Sequence, residues 1–227
     1  MKTDWCLEGW RGLDETTCYL LPEGDAGDEP AELLIYLAGI VPQTPVRSTS
    51  KEHVQRVVGN VARRARVTAL LPRGRLGIGP KDAKDWWAWP TTPSDYAKLA
   101  APLTEEWTKE RKALERALGY RFKRVYLAGS SSGAYFLSML AFAGAFEADG
   151  YGATSGGSPS AGIAPAAKKA PFYVGWGEAD PSVGGAKRLA ALLKTAGWPM
   201  KASALATGHG AREAYLDEAI AFWRSRM

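Results

Sequence analysis

Short, nearly continuous apolar runs recur along this chain, each followed by a segment of helical periodicity, and that alternation limits the possible folds more than any other feature. Residues 32–37 (ELLIYL), 66–71 (RVTALL), 123–127 (KRVYL), 151–156, 171–176 and 201–205 read as strands. Runs without an exposed polar face are what a strand covered on both sides requires. A shorter early strand, 18–21, is closed by Pro22 and the turn-rich stretch 23–30. Helices are expected over 52–64, with Val54, Val57, Val58 and Val61 on one stripe and Ser50 as cap, and over 103–118, 133–143, 185–195 and 211–226. Pro102 marks the first turn of the second of these, or a kink if that helix begins near Asp95. Repeated strand–helix–strand units with short joins predict an α/β protein with a mainly parallel sheet between two helical layers. No internal repeat or linker divides the 227 residues, so 1–227 is read as one domain, with 1–30 its N-terminal hairpin region.

Composition narrows the function classes. A chain that is 46% hydrophobic and 23% charged is an ordinary globular one. No apolar run approaches the roughly 20 residues of a membrane helix, so no membrane partner is expected. The net charge is +5, but lysine and arginine are interspersed with glutamate and aspartate. No zinc-finger spacing, RNA-binding aromatic motif or basic tail accompanies them, so no nucleic-acid partner is expected either. Residues 1–10 contain Asp4 and Glu8 and no apolar stretch, unlike a signal peptide. The chain as written reads as cytoplasmic, and as periplasmic or secreted if a leader has been removed. Cys6 and Cys18, the only cysteines, either bridge the N-terminal hairpin or stay as two buried thiols; a bridge would point to an oxidising compartment.

The chemistry centres on Gly129-Ser130-Ser131-Ser132-Gly133, set between the strand KRVYLA and an apolar helix. A G-x-S-x-G frame between strand and helix is a nucleophile elbow: glycines let backbones crowd in a sharp turn, and the central serine, Ser131, sits at its tip. Ser132, at the helix N-terminus, can offer its backbone N–H to a developing oxyanion. A serine hydroxyl needs a base, and the chain has two histidines. His53 falls within a helix and reads as a surface residue. His209, in Thr207-Gly208-His209-Gly210 between the last strand and last helix, is the candidate base. Asp180, in the loop after the strand PFYVGW, is the candidate acid that would fix the imidazole tautomer; Glu178 is its rival. The order serine, aspartate, histidine is that of one hydrolase fold. Asp149 and Asp217 read as turn and surface residues.

From 32 to 226 the chain resembles a compact α/β-hydrolase, similar to small carboxylesterases, dienelactone-hydrolase-like proteins and polyhydroxybutyrate-depolymerase or feruloyl-esterase-like proteins. LLIYLAGI (33–40), GSSSG (129–133), GWGEADP (175–181) and TGHG (207–210) carry the likeness. The resemblance implies the α/β-hydrolase fold with helices on both faces, and a second oxyanion donor at the backbone N–H of Ile40 or Gly39. Many relatives have His-Gly at that turn, where this chain has Ala38-Gly39. Residues 150–170 leave no room for a cap domain, so an open cleft is expected. Candidate walls are Trp86, Trp87, Trp89 and Trp176, which suit acyl, aryl or polymeric ester substrates. The expected activity is that of a serine esterase working through an acyl-enzyme, without metal or other cofactor, as a monomer or small homo-oligomer. An acyl-thioesterase using the same residues, or a non-catalytic binding protein on this scaffold, are the alternatives.

Overall fold

The computed structural model describes residues 3–22, 31–43, 51–159 and 168–226. Eight strands form one sheet: β1 (Arg11–Gly12), β2 (Thr17–Leu20), β3 (Glu32–Leu37), β4 (Thr68–Pro72), β5 (Arg124–Ser130), β6 (Gly150–Thr154), β7 (Phe172–Gly177) and β8 (Met200–Leu205). Their spatial order is β1-β2-β4-β3-β5-β6-β7-β8. From β4 to β8 all neighbours are parallel, and β2 and β1 add an antiparallel edge. The helices are α1 (Lys51–Ala65), α2 (Pro93–Leu118), α3 (Ser132–Ala143), α4 (Val183–Thr195) and α5 (Glu213–Arg224). The α/β layers are those expected; the proposed cap Ser50 and the turn 23–30 lie outside the described residues.

Strand alternation explains why the apolar runs are uninterrupted. Leu33, Ile35 and Leu37 enter one core with Trp107 of α2, Phe136 of α3 and Leu189 of α4. Leu34 and Tyr36 enter the other, with the valine stripe of α1 and with Leu216, Ile220 and Trp223 of α5. The inner strands β3 to β7 therefore bury both faces, whereas β8, at the edge of the sheet, stays partly exposed.

Helix α2 is longer than its periodicity indicates. It starts at Pro93, where Thr92 caps it by accepting from the Asp95 N–H at 3.1 Å, and it carries Pro102 in its interior. Proline at the first helical position is compatible with this start because its missing N–H has no intrahelical use there. The aromatic centre of this layer is Trp107, fully buried and in edge contact with Trp89, Phe136 and Phe146. Each such pair is worth about 0.5–1.5 kcal/mol beyond its buried area.

At the sheet end where β3 and β5 begin, Glu32 is 3% exposed and accepts from Arg124 and Tyr126, each at 2.9 Å, and from Arg224 Nε at 2.9 Å. Burial pushes its carboxyl up, and those hydrogen bonds outweigh it, leaving it below the ordinary value. This lock ties β3, β5 and α5 together. Cys6 and Cys18 form a disulfide, with Cα atoms 5.5 Å apart, that bridges the N-terminal segment to β2. No helix among the described residues is long and apolar enough to cross a membrane. Nor do those residues contain a group of three or more His, Cys, Asp or Glu able to hold a metal ion.

Candidate active site

Between β5 and α3 the chain turns on Ser131, whose φ of 53° and ψ of −122° lie where a side chain is strained. Such backbone costs about 1–3 kcal/mol and persists only where its surroundings hold it. The hold is visible on both sides. A Cβ on Gly129 would stand 2.7 Å from the Leu37 carbonyl oxygen, and one on Gly133 only 2.2 Å from it. Both positions must therefore be glycine for β3 and the elbow to pack. The Ser131 N–H donates to the Thr154 carbonyl at 3.0 Å. Ser130 and Ser132 are each 3% exposed, whereas Ser131 is only half-buried. Of the three adjacent serines, Ser131 is the most exposed.

Asp180 and His209 meet at the edge of the sheet. His209 Nδ1 lies 2.9 Å from Asp180 Oδ1, which also accepts from the Ser182 N–H at 2.7 Å and the Ser182 hydroxyl at 2.6 Å. The aspartate side chain is fully buried and the imidazole 36% exposed. Burial pushes the Asp180 carboxyl up, but the Ser182 hydroxyl and N–H, together with His209, outweigh it and hold it below 3.8. An ionised acceptor at Nδ1 selects the tautomer with the proton on that nitrogen and leaves Nε2 free to take another. Glu178, the rival, is exposed. Asp149 accepts from the Val125 N–H at 2.8 Å, as a turn residue does, and Asp217 pairs with Arg64 on the surface.

The turn after β3 passes directly beside Ser131. A Cβ on Gly39 would approach Ser131 Cβ to 3.0 Å and its Oγ to 3.6 Å. One residue beyond Ile40, Val41 exchanges two backbone hydrogen bonds with Trp87, both 2.9 Å. A second such bridge joins Arg75 to Ala88, at 2.8 and 3.0 Å. The long tryptophan-bearing segment after β4 is thus a backbone brace for the turn that carries Ile40. The backbone N–H of Ser132, in the first turn of α3, has no carbonyl within its helix to bond.

Two hollows open from Ser131. One of about 260 Å³ is lined by His209, Trp86, His53, Asp82 and Val41; the other, about 300 Å³, by Ser132, Tyr135, Trp89, Ile78 and Ala88. Ile40, Pro80 and Ser131 border both. A hollow of about 650 Å³ elsewhere, at the C-terminal end of α2 among Arg111, Lys112 and Arg116, shares none of these residues.

The four tryptophans divide. Trp86 is half-buried and lines the His209 side. Trp89, 1% exposed, is wedged against Trp107 and Phe136 and belongs to the core while reaching the floor of the Ser132 side. Trp87 and Trp176, also expected as walls, line neither of these two hollows. Trp87 packs edge-on against Trp5, 5.5 Å away, beneath the Arg73 guanidinium. Trp176 shares the face of Phe172 and Val174, so strand alternation turns it into the α2–α4 layer. His53 also differs from its expected surface role: it is half-buried, its Nε2 lies 3.1 Å from the Ala211 carbonyl oxygen, and it lines the His209 side. Tyr135 of α3, Asp82, Ser155 and Ser182 also reach the site, and none of them carries a motif by which the sequence could mark it.

No protein-family model matches the chain, and no curated protein sequence does. Solved structures do resemble it. A Bacillus cereus carboxylesterase superposes with a TM-score of 0.65 at 14% identity, over 93% of this chain and 94% of that one. Esterase PE8 gives 0.64 at 16%, over 92% and 97%. SOBER1 of Arabidopsis thaliana gives 0.62 at 17%, over 86% and 99%. At these identities the likeness is one of fold, and it spans nearly the full length of each chain.

Proposed function

We propose that this chain, whose fold is that of the α/β-hydrolases, is a carboxylic-ester hydrolase in which Ser131 is the nucleophile, His209 the general base and Asp180 the acid that orients it. One observation carries the reading: the strained, cleft-facing Ser131 and an imidazole bonded to a buried carboxylate border the same small hollow. Ser131 Oγ attacks the ester carbonyl as His209 Nε2 takes its proton. The N–H groups of Ser132 and Ile40 stabilise the resulting oxyanion. His209 then returns the proton to the departing alkoxy oxygen, the ester C–O bond breaks, and an acyl group stays on Ser131. Water, deprotonated by the same imidazole, attacks that acyl carbonyl and restores the free serine.

Proton return requires the leaving alcohol to stand beside His209. The hollow with Trp86 and Asp82 therefore takes the alcohol, and the one with Ser132, Ile78, Tyr135 and Trp89 takes the acyl group. Aromatic surface on both sides favours aryl or polymeric esters over very short ones. The Cys6–Cys18 disulfide favours an oxidising compartment.

Ser131→Ala tests the assignment. Hydrolysis of p-nitrophenyl acetate is expected to fall by at least about 10³-fold, to the residual rate that binding and the oxyanion donors sustain, with the melting temperature preserved. A variant that turns over at the wild-type rate contradicts it.

A further inference from the structure

The residues that hold the three site loops together lie at the end of β6, a strand that supplies neither nucleophile, acid nor base. Thr154 accepts the Ser131 N–H at 3.0 Å and so fixes the elbow. The next residue, Ser155, is fully buried and touches the other two loops. Its hydroxyl donates to the Gly210 carbonyl and accepts from the Gly210 N–H, both at 3.1 Å, closing around the residue that follows His209. Its carbonyl oxygen lies 3.0 Å from the Ser182 hydroxyl, the group that stands 2.6 Å from Asp180 Oδ1 and 3.2 Å from His209 Nδ1. Its N–H donates to the Gly175 carbonyl at 2.9 Å, anchoring the junction to β7.

The backbone at Ser155 argues that this is more than filling space. Its φ is 51°, in the left-handed region that glycine occupies without cost, and two glycines follow directly. For a residue with a Cβ the conformation is strained, because the Cβ crowds the following carbonyl oxygen. A glycine would relieve that strain and lose only the hydroxyl. What the hydroxyl contributes is the paired bond to Gly210, whose own φ of 125° shows that the histidine loop bends sharply just there.

We propose that Ser155 is a positioning residue: it clamps the histidine loop through Gly210 and the acid loop through Ser182, so that the imidazole is presented to Ser131 in one place. The Ser182 hydroxyl has one hydrogen and two acceptors. The ionised Asp180 oxygen, closer and charged, is the stronger, and the Ser155 carbonyl marks where that hydroxyl must stand.

The test compares Ser155→Gly and Ser155→Ala with the wild type, the glycine variant keeping the backbone relaxed where the alanine variant retains its strain. With p-nitrophenyl acetate, Ser155→Gly is expected to lower kcat about 10- to 100-fold, the scale on which small misplacements of a catalytic group act, and to leave KM within about threefold. In a His209→Ala background the same substitution should change the residual rate by less than about twofold, because there is no imidazole left to position. A merely structural role would lower both backgrounds alike. The inference rests on the Ser131–His209 reading, so a second readout needs no turnover: the low-field Nδ1–H proton resonance of His209, assigned by its loss in His209→Ala. It should be sharp in the wild type and broadened by exchange in Ser155→Gly. Wild-type kcat in Ser155→Gly, an equal loss in the His209→Ala background, or an unchanged resonance would each overturn the proposal. Absence of ester hydrolysis by the wild type would instead count against the proposed function, with the resonance still deciding the role of Ser155.

Discussion

At Asp180 two opposed effects meet on one carboxyl group. Burial alone would raise its pKa, yet three donors converge on Oδ1 and keep it below 3.8. An acid depressed in the folded state contributes stability that is complete above its unfolded value, near 3.8, and is lost as the pH falls through the lower folded one. The melting-temperature gap between wild type and Asp180→Asn should therefore narrow in that acid range, as followed by thermal melts. At neutral pH the same variant should lose about 10⁴-fold in kcat, because an amide can favour the wrong imidazole tautomer. The tryptophans make a second contrast at this scale. Trp89→Ala removes a ring packed between Trp107 and Phe136 and should cost about 3–5 kcal/mol in denaturant unfolding. Trp86→Ala should barely move stability and should raise KM for esters with aryl leaving groups more than for ethyl esters. In the sequence these residues are near neighbours on one loop and look alike. Their distant partners, Trp5, Trp107 and Phe136, distinguish them, and no local pattern announces those partners.

Among the elements, α2 shows where local signals mislead. Pro102 reads either as the first turn or as an interior proline of a helix that begins near Asp95; the helix begins at Pro93 under a Thr92 cap, and tertiary packing of Leu103, Trp107 and Leu114 carries it through the proline. The same helix holds a carboxyl group that its sequence position does not mark as unusual. Glu110 is 5% exposed, and its Oε1 accepts from Thr17 of β2 at 2.6 Å. Burial pushes it up to about 8, the Thr17 hydroxyl opposes that, and Asp14 and Glu106 add to the rise. Glu106 itself pairs with Arg75. The folded chain thus keeps a proton that the unfolded chain releases above about 4.5, so stability falls as the pH rises from there to about 8. Glu110→Gln should remove that loss: in thermal melts its advantage over wild type should be larger at pH 8 than at pH 5. An advantage independent of pH would contradict the buried acid. By contrast, β3, β5 and β7 were legible because a strand buried on both faces writes itself as an unbroken apolar run.

Across the whole molecule, the sheet order places the ends of β5, β7 and β8 along one edge, so that Ser131 and His209, 78 residues apart in sequence, line one hollow. The segments that carry Ser131, Asp180 and His209 stand out in the chain because each is local, flanked by its own strand and turn. What joins them does not. The backbone bridge from Val41 to Trp87 uses main-chain groups on both sides, the clamp from Ser155 to Gly210 sets a serine hydroxyl that belongs to no motif against main-chain groups, and only the assembled topology brings them into register. The most direct test of the convergence is covalent labelling with a fluorophosphonate, read by mass spectrometry of the modified peptide. The account predicts stoichiometric labelling at Ser131 in the wild type, none in Ser131→Ala, and labelling slowed by at least about 10³-fold in His209→Ala. Folded wild-type protein that resists the reagent, or that reacts equally fast without His209, would contradict it.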